Sequence, residues 1–304
     1  MEIPQEVKNV IQKLQSKNYE AYIVGGCVRD FLRLAEPDDW DIATSAKPEE
    51  IQEVFPKSFY SNKFFTVTVQ TGSESQRLQE IEITTFRKET KYSDKRHPDD
   101  VKFAETIEDD LNRRDFTINA MALKIKKGKT KDKSEIIDLF GGREDLKSKI
   151  IRAVRNPEER FNEDALRMLR AVRLATALGF KVDEKTAKAI KKNTIWLKVI
   201  SQERIKDELL KIIMSDKAAE GIELLRELGL LKYILPELEE GYGVGQNKHH
   251  IYDCYWHSVK ALEYAAKKKF SWQVRLASLL HDIAKPRVKI GEGEDSTFYN
   301  HEVI

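Results

Sequence analysis

Asp39 and Asp41 flank Trp40 in a segment, Trp40-Asp41-Ile42-Ala43, that reads as a β-strand. Side chains along a strand alternate between faces, so this spacing predicts both carboxylates on one face. Such a pair can hold divalent cations as phosphoryl transfer requires, bridging an attacking hydroxyl, the transferred phosphate and the leaving group. Upstream, Gly25-Gly26-Cys27-Val28-Arg29-Asp30 stands where the strand Ala21-Tyr22-Ile23-Val24 gives way to a helix. Two glycines there let backbone N–H groups approach an anion at the helix start. The run Glu80-Ile81-Glu82-Ile83-Thr84-Thr85-Phe86-Arg87 alternates as a half-buried strand does and offers a further carboxylate. Glu82 is the expected third acid, with Glu80 in reserve because both share a face. Each signal alone has a plainer alternative: a Gly-Gly turn that is only a turn, or two aspartates facing solvent at a strand edge. Together they form the layout of a polymerase-type nucleotidyl transfer site.

A second constellation is Glu163-Asp164-Ala165-Leu166-Arg167. On the helix expected over 164–178, Asp164 and Arg167 are three apart and share a face. A carboxylate only accepts hydrogen bonds and a guanidinium only donates them. Cytosine and adenine both present an amino donor beside a ring-nitrogen acceptor, so one Asp-Arg pair satisfies either. Uracil and guanine present the opposite order, and leaving buried polar groups unpaired can reject a substrate by about 10⁴. The plainer alternative is a surface ion pair.

These residues need elements to position them. The chain of 304 residues is long enough for roughly two domains. Up to residue 150 short strands alternate with short helices: helical spacing of Val7, Val10, Ile11 and Leu14, then strands at 21–24, 40–43, 64–70 and 80–86. The first unit is therefore expected over 1–150 as an α+β catalytic head. From Pro157 strand signals vanish, and helices are expected over 164–178, 202–214 and 218–228. Residues 151–245 are read as an all-helical body, and Gly241, Gly243 and Gly245 mark a loop before a third helical segment, 246–304. The lysine-rich run 124–133 reads as a solvated hairpin tip. Fifty-three basic residues against fifty-one acidic ones identify no partner by charge. Two distant cysteines, Cys27 and Cys254, argue against a disulfide framework or zinc knuckle. No apolar run approaches the roughly 18 residues of a membrane span, and the N-terminus lacks a targeting pattern, so a cytoplasmic location is expected.

The ordered motifs resemble the class II tRNA nucleotidyltransferase (CCA-adding enzyme) and bacterial poly(A) polymerase family. Gly25 to Asp30 and Asp39 to Thr44 look like the segments that open its head, Arg113 to Ala120 like its ribose-reading motif, Asp138 to Gly142 like its head-to-neck connector, and Glu163 to Arg167 like its base-selecting motif. The resemblance implies a polymerase β-like nucleotidyltransferase head followed by an all-helical neck and body. It implies Mg²⁺ on Asp39 and Asp41, with Glu82 completing the catalytic acids. Gly25, Gly26 and Arg29 would contact the triphosphate, Arg114, Asp115 and Asn119 the sugar side of the nucleotide, Asp164 and Arg167 the base, and Arg170 a phosphate. The implied activity is addition of CCA to the tRNA acceptor end from CTP and ATP, the alternatives being an A-adding enzyme or a poly(A) polymerase. The polar stretch 88–100 resembles the loop that in this family helps the switch from C to A addition. One departure is Phe64-Phe65-Thr66 where relatives carry Phe-Gly-Thr, which puts the turn geometry there in question. Finally, His257, His281-Asp282 and His301 resemble the opening of an HD phosphohydrolase domain, in which His and Asp bind divalent metal. That domain needs a further aspartate downstream, which implies a chain cut within its last domain.

Overall fold

A computed structural model describes residues 2–61, 65–90, 100–126, 133–247 and 250–303, in two compact units. Of the described residues, the first comprises those up to 148 and 152–156, and the second 149–151 and those from 157 on. Much of the polar stretch 88–100 and of the lysine run 124–133 lies outside the described residues.

In the first unit, α1 (Gln5–Ser16) leads to β1 (Ala21–Val24), α2 (Gly26–Leu32), β2 (Asp41–Thr44), α3 (Pro48–Val54), β3 (Ser58–Ser61), β4 (Thr66–Gln70) and β5 (Glu80–Thr85). A hairpin of β6 (Arg87–Thr90) and β7 (Asp100–Phe103) precedes α4 (Ile107–Asn112), β8 (Met121–Lys126), β9 (Lys133–Asp138) and α5 (Gly142–Ser148). Seven strands form one sheet in the order β3-β4-β5-β2-β1-β8-β9. Its pairs are antiparallel except β2 with β5, which run parallel. Alternation along the strands divides the core. Ala21, Ile23, Ile42, Val67, Val69, Ile81 and Ile83 pack with Val7, Val10, Ile11 and Leu14 of α1 and Ile51 of α3. Tyr22, Val24, Ala43 and Ala122 turn the other way, onto Phe86 and the α4 residues Ile107 and Leu111. By the same parity Asp41 and Glu82 lie on this second face.

The turn into β4 answers the question raised by Phe65. Its φ is +57°, the left-handed region that glycine enters without cost and a bulky residue does not. The Phe65 ring packs 4.3 Å from that of Phe103 on β7, which offsets part of that strain. The turn thus retains the conformation a glycine would give it.

The second unit opens with β10 (Ile150–Ile151) and continues with α6 (Pro157–Glu163), α7 (Leu166–Leu178), β11 (Lys181–Val182), α8 (Glu184–Asn193), α9 (Gln202–Ile213), α10 (Ala218–Glu227), α11 (Leu231–Ile234), α12 (Pro236–Glu240), α13 (Cys254–Lys267), α14 (Trp272–Leu280) and α15 (Lys285–Val288). Among the described residues its β structure is confined to the two-residue parallel pair β10–β11 and an antiparallel bridge between Ile290 and Thr297, both too short to leave a period in the sequence. The helix expected over 164–178 is also corrected: α6 ends at Glu163 and α7 begins at Leu166. The Asp164 carboxylate takes the Leu166 N–H at 3.0 Å, a local bond that competes with continuous helix.

Candidate active site

The head site is built where β1 ends. Gly25 has φ +82° and ψ −141°, a combination open essentially to glycine, and it turns the chain directly into α2. A Cβ at this position would sit 2.9 Å from Arg114 Nη1 and 3.5 Å from Asp41 Oδ2. Glycine is therefore required twice, by the backbone angle and by the two side chains beside it. Because β1 turns away at Gly25, β2 has no partner on that side beyond the Val24–Asp41 pair. Strand β2 accordingly starts at Asp41, and Asp39 stands in a bend before it instead of on the strand as the sequence suggested.

Parallel register places Asp41 opposite Glu82, whereas Glu80 lies opposite Gln70 at the far end of β5. Of the two glutamates, Glu82 is the one that neighbours Asp41. Burial, then the charge of Asp39, pushes the Asp41 carboxyl up to about 6, Glu82 adding to the rise and Arg114 opposing it. A carboxylate so loaded with negative neighbours is a place for a cation.

Around this corner sit the other head residues. Arg29 donates from Nε and Nη2 to the two oxygens of Asp30, at 2.9 and 2.6 Å, and from Nη1 to Asn119 Oδ1 at 2.8 Å. Arg114 donates from Nη2 to Asp110 Oδ2 at 3.1 Å and from Nη1 to the Asn119 carbonyl at 3.5 Å. Asp115 is buried, and its Oδ1 accepts the Phe116 N–H at 2.8 Å. At Gly26, the first residue of α2, the atoms nearest to where a Cβ would lie belong to the Arg29 guanidinium.

In the second unit Asp164 and Arg167 are not paired with each other. Arg204, at the start of α9, donates from Nη2 to Asp164 Oδ2 at 2.8 Å. Arg167 is buried and donates from Nη1 to Glu163, which also holds Arg160. Asp164 lies ahead of α7 and Arg167 in its first turn, so the shared helix face expected from spacing is replaced by two separately held groups. Arg170 is half-buried one turn further along α7. Sequence reasoning did not single out Asp110 or Arg204, and it read Glu163 as part of a motif without its pairing to Arg160 and Arg167. Spacing of three and four residues could have found Asp110 and Glu163 as partners of the arginines, but nothing local points to Arg204.

The HD-like residues also converge. Asp282 Oδ2 lies 3.1 Å from His257 Nε2, 3.2 Å from His281 Nε2 and 2.7 Å from Lys285 Nζ, while Oδ1 lies 3.3 Å from His301 Nε2. The Nδ1 atoms of His281 and His301 face the Ser278 and Phe298 carbonyls at 3.0 and 2.7 Å. Burial opposes ionisation of Asp282, yet hydrogen bonds from His281 and Lys285 hold its carboxyl below the ordinary range. Burial lowers His257, whereas the bond to Asp282 raises His281. Among the described residues, His257, His281 and Asp282 are the group whose donor atoms could meet on one metal ion.

A mixed sheet with an acidic cluster beside a Gly-Gly turn, followed by a helical body, is the architecture of a nucleotidyltransferase. Comparison with known proteins agrees. Residues 21–152 match the family model described as the poly A polymerase head domain, and 179–241 the one described as a probable RNA and SrmB-binding site of polymerase A. The CCA-adding enzyme of Lactobacillus helveticus is 47% identical over 222 residues, 73% of this chain and 53% of that protein. That of Ligilactobacillus salivarius is 46% identical over 240 residues, 76% and 55% of the two chains. Among solved structures, the Bacillus stearothermophilus CCA-adding enzyme in complex with CTP superposes with a TM-score of 0.69 at 36% identity, over 92% of this chain and 66% of that one. This chain belongs to the family of class II tRNA nucleotidyltransferases and bacterial poly(A) polymerases. It spans about half the length of the curated relatives it matches.

Proposed function

We propose that this chain carries out template-independent addition of cytidine, cytidine and adenosine to the 3′ end of tRNA, using CTP and ATP. The observation that carries the proposal is the parallel pairing of Asp41 with Glu82 beside Gly25, in a chain of this family. The head acids suit Mg²⁺ in kind: carboxylates are the hard oxygen ligands it takes, and Asp41, raised by burial and then by the charge of Asp39, would be relieved by a divalent cation. Asp39 and Asp41 would hold the ions, with Glu82 as the third acid. Bound there, Mg²⁺ would lower the pKa of the RNA 3′-hydroxyl that attacks the α-phosphorus and neutralise the pyrophosphate that leaves.

The chain's own residues supply the rest. In this reading Gly25 and Gly26 open the floor on which the triphosphate lies, and Arg29, kept extended by Asp30 and Asn119, meets its charge. Arg114 and Asp115 read the ribose, with Asn119 joining Arg29 to Arg114. Asp164 accepts the amino group of C or A, and Arg167 donates to the neighbouring ring nitrogen. Arg170 reaches phosphate, and the helices from about residue 150 grip the acceptor stem by shape and charge rather than by base readout. The segments 1–150, 151–245 and 246–304 serve as head, body and HD-like segment. No described helix is long and apolar enough to cross a membrane, and we place the protein in the cytoplasm with tRNA as its partner.

The deciding experiment supplies purified protein with a tRNA lacking CCA and with CTP alone, ATP alone, or both. CCA ends support the proposal. Addition of A only to CC-ending tRNA identifies an A-adding enzyme, and long adenosine tails a poly(A) polymerase; either result overturns it.

The convergence of His257, His281, Asp282 and His301 favours a second activity in 246–304. The backbone carbonyls facing Nδ1 of His281 and His301 would hold the protons there, so that their Nε2 atoms, which now face Asp282, would ligate a cation on giving up theirs, and we infer a divalent-metal site that activates water for phosphoester hydrolysis. Metal analysis of the parent and His281→Ala, alongside p-nitrophenyl phosphate hydrolysis, tests this. Equal metal content in both proteins refutes the site.

A further inference from the structure

Asp110 is a carboxylate in an apolar setting. Its neighbours along α4, Ile107 and Leu111, are core residues packed on Phe86 and Tyr22, and Asp110 itself is 1% exposed. Taking a carboxylate out of water is expensive, and a buried ion pair rarely repays that expense in stability alone. Burial by itself would raise this group, yet Arg113 and Arg114 hold it below the ordinary carboxylate range, and it is charged at neutral pH. A charge kept at such a position needs a purpose beyond packing.

The geometry shows what it does. Oδ1 takes both the Nε and Nη2 of Arg113, at 3.0 and 2.8 Å, leaving Oδ2 for Arg114 Nη2 at 3.1 Å. Arg114 forms no other ion pair among the described residues, and its Nε is buried without a partner. Its remaining end, Nη1, is the atom 2.9 Å from where a Cβ on Gly25 would lie. Asp110 thus fixes one end of a guanidinium whose other end forms the wall of the Gly25 corner. Arg114 also acts on the charge of Asp41, whose carboxyl it lowers.

We infer that Asp110 is a positioning residue that presents Arg114 to the sugar of the incoming nucleotide. The inference rests on the proposed ribose-reading role of Arg114. An amide at position 110 keeps the shape but only one acceptor oxygen, so the two arginines compete for it. Asp110→Glu keeps the charge but moves both guanidinium groups outward by about one methylene.

The test measures kcat and KM for CTP and dCTP on a tRNA lacking CCA, in the parent, Asp110→Asn, Asp110→Glu and Arg114→Lys. Melting temperatures are recorded alongside. The expected result is a KM for CTP raised about tenfold in Asp110→Asn with a smaller change in kcat, and a preference for CTP over dCTP reduced by a similar factor. Asp110→Glu, chosen because it retains the buried charge, shifts the same preference in the same direction. Loss of packing alone would lower the amount of folded enzyme and leave the sugar preference untouched. A folded Asp110 variant with parental preference, where Arg114→Lys loses it, overturns the positioning role. Parental preference in Arg114→Lys itself overturns the ribose-reading role instead. If Asp110→Asn does not fold, the outcome for Asp110→Glu decides.

Discussion

Gly25→Ala and Gly26→Ala differ by one position and should act in opposite directions. At Gly25, alanine must adopt φ +82° and ψ −141°, a strained combination costing about 1–3 kcal/mol for a residue with a side chain. Its methyl would also lie 2.9 Å from Arg114 Nη1, closer than real Cβ contacts, so the guanidinium must move. For a unit of this size a loss of about 1–3 kcal/mol lowers the melting temperature by roughly 2–12 °C. Displacement of Arg114 removes a charged hydrogen bond from the nucleotide, so KM for CTP rises about tenfold or more. At Gly26 the nearest atom is Arg29 Nη2 at 3.5 Å, an ordinary contact, and the residue opens α2 without a positive φ. Alanine there reduces the freedom of the unfolded chain, a gain of about 0.4–1 kcal/mol, and the melting temperature stays level or rises. Scanning calorimetry and primer extension on the two variants measure both effects. If Gly25→Ala melts with the parent, the strain argument is wrong; if it melts low but retains the parental KM, Arg114 does not face the nucleotide.

Asp41→Asn should abolish addition while leaving circular dichroism unchanged. A carboxyl raised to about 6 from an ordinary 3.8 binds its proton more tightly when folded, so metal-free stability of the parent falls as pH rises from about 4 to 6 and is level above. At neutral pH without metal, Asp41→Asn therefore melts higher than the parent, by up to about 3 kcal/mol of stability, and the advantage disappears near pH 4; thermal melts in chelator across this range check it. Arg167→Ala should lower CTP and ATP use together and relax discrimination against UTP, measured as kcat/KM for all four nucleotides, whereas unchanged selectivity would contradict the protein-template reading. Arg204→Gln, which removes the partner of Asp164 at 2.8 Å, should raise KM for CTP and ATP alike, measured by steady-state primer extension, while leaving kcat less affected.

Much of the head was legible because its chemistry and its geometry share a short stretch of chain. Val24-Gly25-Gly26 announces a strand, a turn and a helix in sequence, and the alternation in 80–86 assigns Glu82 to a face. Alternation does not say which strand lies alongside, so the pairing of Asp41 with Glu82 over Glu80 required the fold. The start of β2 was misread for a related reason: Asp39 has strand-like spacing, but a strand needs a partner, and β1 has already turned away. The break at Asp164 was hidden because helical periodicity averages over several turns, and one carboxylate bonding to a backbone N–H two residues on barely disturbs it. Arg204 lies on a different helix, and its contact with Asp164 is a tertiary fact that no local spacing encodes.

The parallel pairing of β2 with β5 also bears on when in the life of the chain the acidic cluster exists. Between these strands run α3, β3 and β4, and β4 is the antiparallel neighbour of β5 on its other side. Closing such a long loop precedes the contacts that reward it, so non-local parallel pairing is intrinsically slow. During synthesis, Gly25 and Asp41 leave the ribosome well before Glu82, and an emerging chain that ends short of β5 holds the first two acids without the third. Hydrogen exchange at β2 and β5 during refolding should therefore become protected in step with recovery of nucleotide addition, rather than with formation of the local β1–β2 pair.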